Sequence, residues 1–265
     1  MKTATLPYNL SIHYEETGHG TPLVWLHGFP LDRAMWVPQL DGLSASARVI
    51  APDLPGFGNS TSGGGAFTIE SAANTIAEFL GAIGITEKIV LGGLSMGGYI
   101  ALAFARRHGE RLRGLILADT KAEPDDDTAK ANRAKTITLA QEKGAGGVIE
   151  SMIPKLLGPA TLEIRPAVVE EVKRIGSRQS TEAIVRAVEA LRDRPDAVPG
   201  LANISVPTLV LVGDQDAITP LAVAEKLAGG IPGAKLVVVP TAGHMSNLEN
   251  PDVFNSAVAE FLSTC

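Results

Sequence analysis

The 265-residue chain has one cysteine, Cys265, at its last position, so no disulfide can form within it and no oxidising compartment is required. Long apolar runs are also missing. No stretch reaches the roughly 18 consecutive apolar residues of a membrane-spanning helix. The first residues, Met1-Lys2-Thr3-Ala4-Thr5-Leu6-Pro7, lack the apolar run of about 7 or more that a secretory signal needs. A cytoplasmic protein with no membrane partner is expected. Basic charge is in deficit, with 23 Lys and Arg against 29 Asp and Glu and a net charge of −6. Such a chain has no long-range attraction for phosphate backbones or anionic lipid, which excludes nucleic acid as an expected partner. Internal repeats, low-complexity tails and Pro/Ser-rich linkers are absent too. With 45% hydrophobic and 20% charged residues, 28 Gly and 17 Pro, the composition is that of an ordinary globular protein and excludes disorder, collagen and coiled coil. At about 150 residues per domain, the length fits one to two domains, or one large α/β domain carrying an insertion.

What is present is a succession of short apolar runs that end in Gly, Pro, His or Asp: Leu23–Leu26, Val49–Ala51, Ile89–Leu91, Leu115–Ala118, Thr208–Val212 and Leu236–Val239. Runs of this length without polar alternation are the pattern of fully buried parallel strands. Ala-rich, helix-like stretches lie between them at about 68–83, 97–108, 220–229 and 252–263. The alternation predicts an open, mostly parallel sheet with helices on both faces. Leu10–Glu16 instead alternates apolar and polar residues, which predicts an antiparallel hairpin at the N-terminal edge. Residues 121–200 hold 26 of the 52 charged residues in under a third of the length. Their apolar positions, such as Ile184, Val185, Val188 and Leu191, fall at helical spacing, so this segment reads as several short amphipathic helices. An insertion there would lie over the carboxyl ends of the strands, where open α/β sheets bind ligands. The expected division is a core of residues 1–120 and 204–265 with a helical cap of 121–203.

Gly93-Leu94-Ser95-Met96-Gly97-Gly98 follows one strand run and opens a helix-like stretch, the strand–turn–helix context of a G-x-S-x-G nucleophile elbow. The glycines flank a strained turn in which a Cβ two residues either side of the nucleophile would be too close. A serine hydroxyl needs a base, and the base needs an orienting acid. Of the five histidines, His13 lies in the edge strand, His19 in the turn after it and His108 at a helix end that favours a cation. His244 sits between the last strand run and the last helix, at the catalytic edge of the sheet, and is the expected base. Gly213-Asp214-Gln215-Asp216 follows the preceding strand and offers two carboxylates, of which only one can face the imidazole. The chain order Ser95, Asp214 or Asp216, then His244 is that of an α/β-hydrolase. His27-Gly28-Phe29-Pro30 follows the first parallel strand, so the Phe29 amide is the expected second oxyanion donor beside that of Met96, since Pro30 has no N–H. His27 then shapes the loop. No cluster with metal-ligand spacing exists, so no metal is expected. Gly56-Phe57-Gly58 lacks the third glycine of a dinucleotide fingerprint, and Gly92–Gly98 lacks the Gly-Lys-Ser/Thr ending of a P-loop.

Taken together, His27-Gly28-Phe29-Pro30, Asp53-Leu54-Pro55-Gly56-Phe57-Gly58-Asn59-Ser60, the elbow around Ser95, Gly213-x-x-Asp216 with Pro220, and Gly243-His244 resemble the α/β-hydrolase superfamily over the whole chain. The resemblance implies an eight-stranded, mostly parallel sheet with a cap between strands 6 and 7, favours Asp216 over Asp214, and requires no cofactor. The 53–60 segment matches a structural loop with no chemical step. Within the superfamily, Leu94–Gly98 and Leu117–Glu123 resemble the 3-oxoadipate enol-lactonase and small carboxylesterase group; an aspartate at position 95 would have pointed to a dehalogenase or epoxide hydrolase.

The resemblance implies a serine hydrolase acting on small carboxylic esters or lactones, with Ser95, His244 and Asp216 as triad and Phe29 and Met96 as oxyanion donors. Trp36, Met152 and Leu156 are candidate pocket liners, although such residues are more often core. Lys121, Arg133 and Arg178 are candidates to hold a substrate carboxylate. Hydrolysis of 3-oxoadipate enol-lactone itself, cofactor-free perhydrolysis, C–C bond hydrolysis and a ligand receptor with slow turnover are the alternatives. A monomer or homodimer is expected.

Overall fold

The short apolar runs assemble into one sheet. The computed structural model describes residues 1–265. In chain order the elements are β1 (Lys2–Leu6), β2 (Leu10–Thr17), β3 (Pro22–Leu26), α1 (Val37–Gly42), β4 (Arg48–Pro52), α2 (Ile69–Ala82), β5 (Ile89–Leu94), α3 (Met96–His108) and β6 (Leu112–Ala118). Four helices follow: α4 (Asp127–Leu156), α5 (Pro159–Ile164), α6 (Pro166–Ser177) and α7 (Thr181–Arg192). The chain then returns to the sheet through β7 (Thr208–Gly213), α8 (Leu221–Gly230), β8 (Lys235–Val239), α9 (Ser246–Glu249) and α10 (Pro251–Leu262).

The eight strands are ordered β1-β2-β4-β3-β5-β6-β7-β8. The β1–β2 and β2–β4 pairings are antiparallel and all others parallel, which is the edge hairpin expected from the alternation in residues 10–16. Successive residues of β3 point to opposite faces. Val24 and Leu26 join one buried cluster of 48 residues, with Ile76 of α2, Phe104 of α3, Ile184 of α7 and Leu227 of α8. Leu23 and Trp25 join another of 29, with Leu40 of α1, Ile153 of α4 and Phe254 of α10. The sheet is therefore covered on both sides.

One strand departs from the expectation of full burial. In β8, Lys235 and Val238 are exposed and Leu236 and Val237 half-buried, because β8 ends the sheet and only β7 pairs with it. An apolar run does not distinguish a central strand from an edge strand.

The charged segment contains no strand. Gly144, at φ 64°, interrupts α4, a conformation cheap only for glycine. Both α6 and α7 bury one face, through Val172 and Ile175 and through Ile184, Ala187, Val188 and Leu191. Hydrogen bonds to segments at the carboxyl edge of the sheet tie this insertion down, among them three from Leu156, Gly158 and Arg178. Leu156 O accepts from His244 N (2.9 Å). Gly158 N donates to Glu249 Oε2 (2.7 Å). Arg178 Nε donates to Asp32 Oδ2 (2.7 Å), and its second guanidinium arm reaches Asp32 Oδ1.

No helix is long and apolar enough to cross a membrane.

Candidate active site

β5 ends at Leu94 and α3 begins at Met96, so Ser95 alone makes the turn between strand and helix. Its φ of 54° and ψ of −112° are strained for an L-residue. The strain persists because the surroundings fix the turn. Ser95 N donates to Ala118 O at the end of β6 (3.0 Å), and Thr120 Oγ1 donates to Ser95 O (2.9 Å). The flanking glycines leave no alternative: a Cβ on Gly93 would lie 2.2 Å from the Gly97 carbonyl carbon, and one on Gly97 would lie 2.1 Å from Leu26 O. Ser95 is half-buried while its neighbours are buried. The Met96 amide opens α3, where the first N–H groups have no intrahelical acceptor. The Phe29 amide lies in the loop after β3. Neither donates a hydrogen bond within the loops and turns.

The loop after β8 brings His244 to Asp216, on the loop after β7. Nδ1 lies 2.8 Å from Asp216 Oδ2, and both side chains are buried. The carboxylate is held by further donors: Ile218 N (2.7 Å) and Thr219 N (2.9 Å) to Oδ1, and Thr219 Oγ1 (2.6 Å) to Oδ2. Burial alone would raise the Asp216 pKa, but the charge and hydrogen bond of His244 and the Thr219 donors outweigh it and bring it down to about 2. An ionised acceptor at Nδ1 fixes the tautomer and leaves Nε2 to face the site. Asp214 is exposed and instead accepts from Ala242 N (3.1 Å). Ser95 Oγ and His244 are not hydrogen-bonded to each other here, a contact that commonly tightens only with substrate bound.

Two buried carboxylates beside this pair escaped the sequence reading. Asp119, directly after β6, accepts from Gly213 N (2.9 Å) and from Ser246 Oγ. Burial and the nearby Asp216 push its pKa well up. A strand run ending in Asp at the same sheet edge as Ser95 was a visible signal. Glu249 had none, because no spacing rule marks it. Its Oε1 accepts from Gly243 N (2.9 Å) and Met245 N (3.2 Å), one on each side of His244, while Oε2 accepts from Gly158 N in the insertion. Burial raises the Glu249 pKa against these amide bonds.

His27 shapes its loop, as expected. Nε2 accepts from Leu54 N (3.0 Å), so Nδ1 carries the proton and faces Gly28 O (3.2 Å), tying the loops after β3 and β4 together. Burial lowers its pKa, which favours this neutral form.

Of the candidate pocket residues, Trp36 has no exposed surface and stacks on Trp25 at 4.4 Å, and Leu156 is equally buried; both belong to the core. Met152 is half-buried between the two clusters. None of the three lines the cavities of about 450 and 510 Å³ found elsewhere in the molecule. Among the candidate cations, Arg178 is bound to Asp32 and Arg133 to Asp125 (2.9 Å), whereas Lys121 has no carboxylate partner. No three His, Cys, Asp or Glu side chains come together as a metal-ion site.

A family model described as alpha/beta hydrolase fold matches residues 21–251. The solved structure of a thermophilic esterase from Thermogutta terrifontis, with malate bound, superposes with a TM-score of 0.95 at 42% identity, covering 99% of this chain and 98% of that one. An enol-lactonase from Burkholderia xenovorans superposes at 0.91 with 27% identity, covering 99% and 100%. A 3-oxoadipate enol-lactonase from Acinetobacter baylyi is 29% identical over 236 residues, 89% of this chain and 86% of its own.

Proposed function

Starting from a chain that belongs to the alpha/beta hydrolase family, we propose a serine hydrolase that cleaves small carboxylic esters or lactones through an acyl-enzyme. The observation that carries this reading is Ser95 in its strained strand-to-helix turn, at the sheet edge to which the next loops deliver a hydrogen-bonded His244–Asp216 pair. The esterase and enol-lactonase relatives support the substrate class.

In this mechanism His244 Nε2 takes the Ser95 proton as Oγ attacks the carbonyl carbon. Asp216 holds the imidazole and stabilises the imidazolium. The oxyanion is received by the Met96 amide, reinforced by the α3 N-terminus, and by the Phe29 amide. The proton on His244 goes to the leaving alkoxide oxygen, which in a lactone stays attached to the acyl group. Water deprotonated by His244 then attacks the acyl-enzyme and releases the carboxylic acid and free Ser95. No step draws on a cofactor. Residues 121–203 act as a cap over a core of 1–120 and 204–265, restricting the site to small substrates.

Release of p-nitrophenol from acetate, butyrate and octanoate esters tests the reading. Wild type should hydrolyse the short esters fastest, and Ser95→Ala and His244→Ala should each lower turnover by about 10⁴-fold or more. The double variant should lose little beyond either single one, because the two groups act as a unit. Equal rates for wild type and Ser95→Ala would overturn it.

A further inference from the structure

The cavity of about 450 Å³ lies between α3, the segment after β6 and the chain that leads from α7 back to the sheet. It is separate from the site described above, since none of Phe29, Ser95, Met96, Asp216 or His244 lines it. Its size is in the range of small-molecule pockets. Ile69, Leu102, Ala103, Leu201 and Ile204 supply apolar wall.

Its charged groups are unequal. Arg194 donates to Asp125 Oδ1 (2.6 Å) and to the carbonyls of Leu191 (2.7 Å) and Glu123 (2.8 Å), and its guanidinium lies 4.3 Å over the Tyr99 ring. Arg106 donates to Glu70 Oε1 (2.8 Å) at the exposed rim. Both are neutralised. Lys121 has neither a carboxylate partner nor a hydrogen-bond acceptor, although it is half-buried. Burial and the nearby Arg194 lower its pKa, and the charges of Asp125 and Glu123 offset this only in part. An anion placed against it would supply the missing compensation. Glu70 and Asp196 also line the cavity, which disfavours a dianion such as phosphate and leaves a monoanion.

We propose that this cavity is a second small-molecule site, which binds a carboxylate carrying an apolar body, its head on Lys121 and its body against α3. The site lies close to the reaction centre along the chain. Lys121 follows Thr120, whose hydroxyl holds Ser95 O, and Tyr99 N donates to the same oxygen (3.1 Å).

Calorimetric titration with 3-phenylpropanoate and octanoate tests this without recourse to turnover, so that failure of the hydrolase reading and failure of this one are distinguishable. Saturable one-to-one binding should occur equally in wild type and Ser95→Ala, and 3-phenylpropylamine should not bind. Lys121→Met keeps the apolar stem and removes the charge, and should weaken binding by about tenfold or more, the effect of one charge-assisted hydrogen bond. Ala105→Phe fills the cavity from its half-buried wall and should abolish binding. The proposal is overturned by an unchanged affinity in Lys121→Met, by binding that survives Ala105→Phe, or by no saturable binding of either carboxylate.

Discussion

A carboxylate buried among backbone amides is a sharp reporter, because each amide loses its partner when the charge goes. Glu249 grips Gly243 N and Met245 N on either side of His244 and Gly158 N from the insertion. We expect it to be a positioning residue that fixes the imidazole. Glu249→Gln must turn an NH₂ toward at least one amide donor, so it should behave more like Glu249→Ala than like a conservative change. Either should cost about 1–3 kcal/mol of stability in urea unfolding. At temperatures far below the unfolding midpoint, kcat for a p-nitrophenyl ester should fall more than about tenfold with KM nearly constant, which a merely structural role would not produce. Asp216 makes a separate prediction through pH. Its folded pKa of about 2 lies below the usual 3.8. Its contribution is therefore complete above pH 3.8 and is lost as pH falls through the folded value. Wild type should exceed Asp216→Asn by about 2 kcal/mol at pH 7, and the gap should close between about pH 4 and pH 2 when unfolding is followed across that range.

At the scale of the element, the β5–Ser95–α3 unit is where sequence and structure agree most closely, and the reason is steric. A strand that turns into a helix through one residue brings backbone atoms so close that only glycine fits at Gly93 and Gly97, and this requirement is written directly in the residues. Gly97→Ala should therefore destabilise the protein by about 3 kcal/mol, since the new methyl meets the Leu26 carbonyl rather than a mobile side chain. Gly81, near the exposed C-terminal end of α2, meets nothing within 4 Å, so Gly81→Ala should stabilise by about 0.5 kcal/mol. Calorimetric unfolding of the two variants distinguishes steric demand from mere glycine content. Strands β3, β4, β6 and β7 were legible because β-structure buried on both faces leaves unbroken apolar runs, while the exposure of β8 depends on strand order, which no local run encodes. Motif and chain order singled out Ser95 and His244, the family resemblance favoured Asp216 over Asp214, and the structure brings His244 and Asp216 into hydrogen-bond contact. Asp119 was signalled only by its place at the end of a strand run, and Glu249 not at all, because its partners are backbone amides and a backbone amide carries no residue-specific signal.

At the scale of the molecule, the α4–α7 insertion and the sheet are joined by few polar links, and their placement decides what a loosened insertion would do. Asp32, with no exposed surface, receives Arg178 through both guanidinium arms and Gln179 through Nε2 (2.7 Å), while Gln179 Oε1 accepts from Gly58 N (2.9 Å). The pair sits on the loop after β3, the same loop that carries the Phe29 amide. Leu156 O to His244 N, Gly158 N to Glu249 and the Arg165 guanidinium to Glu249 O sit on the segment that carries His244, and the Arg186 guanidinium reaches Gly65 O on the loop after β4. The insertion is thus fastened at the loops that carry Phe29 and His244 and at the loop after β4. Removing Arg178 leaves Asp32 buried with only Gln179 and the Ala34 amide (3.0 Å) as donors, so part of its desolvation goes uncompensated. The Arg178 side chain is 37% exposed, and solvent replaces some of what it supplies, which limits the cost of Arg178→Ala to about 1–2 kcal/mol in urea unfolding. Asp32→Asn in the same background should then cost little more, because the partner charge is already gone. Hydrogen exchange locates the effect: amides of α6 and the 27–32 loop should lose protection in Arg178→Ala, while those of β5 and α3 keep theirs. Uniform loss across the sheet would instead mean that the insertion and the core unfold as one unit, with Asp32–Arg178 a local contact rather than a fastening.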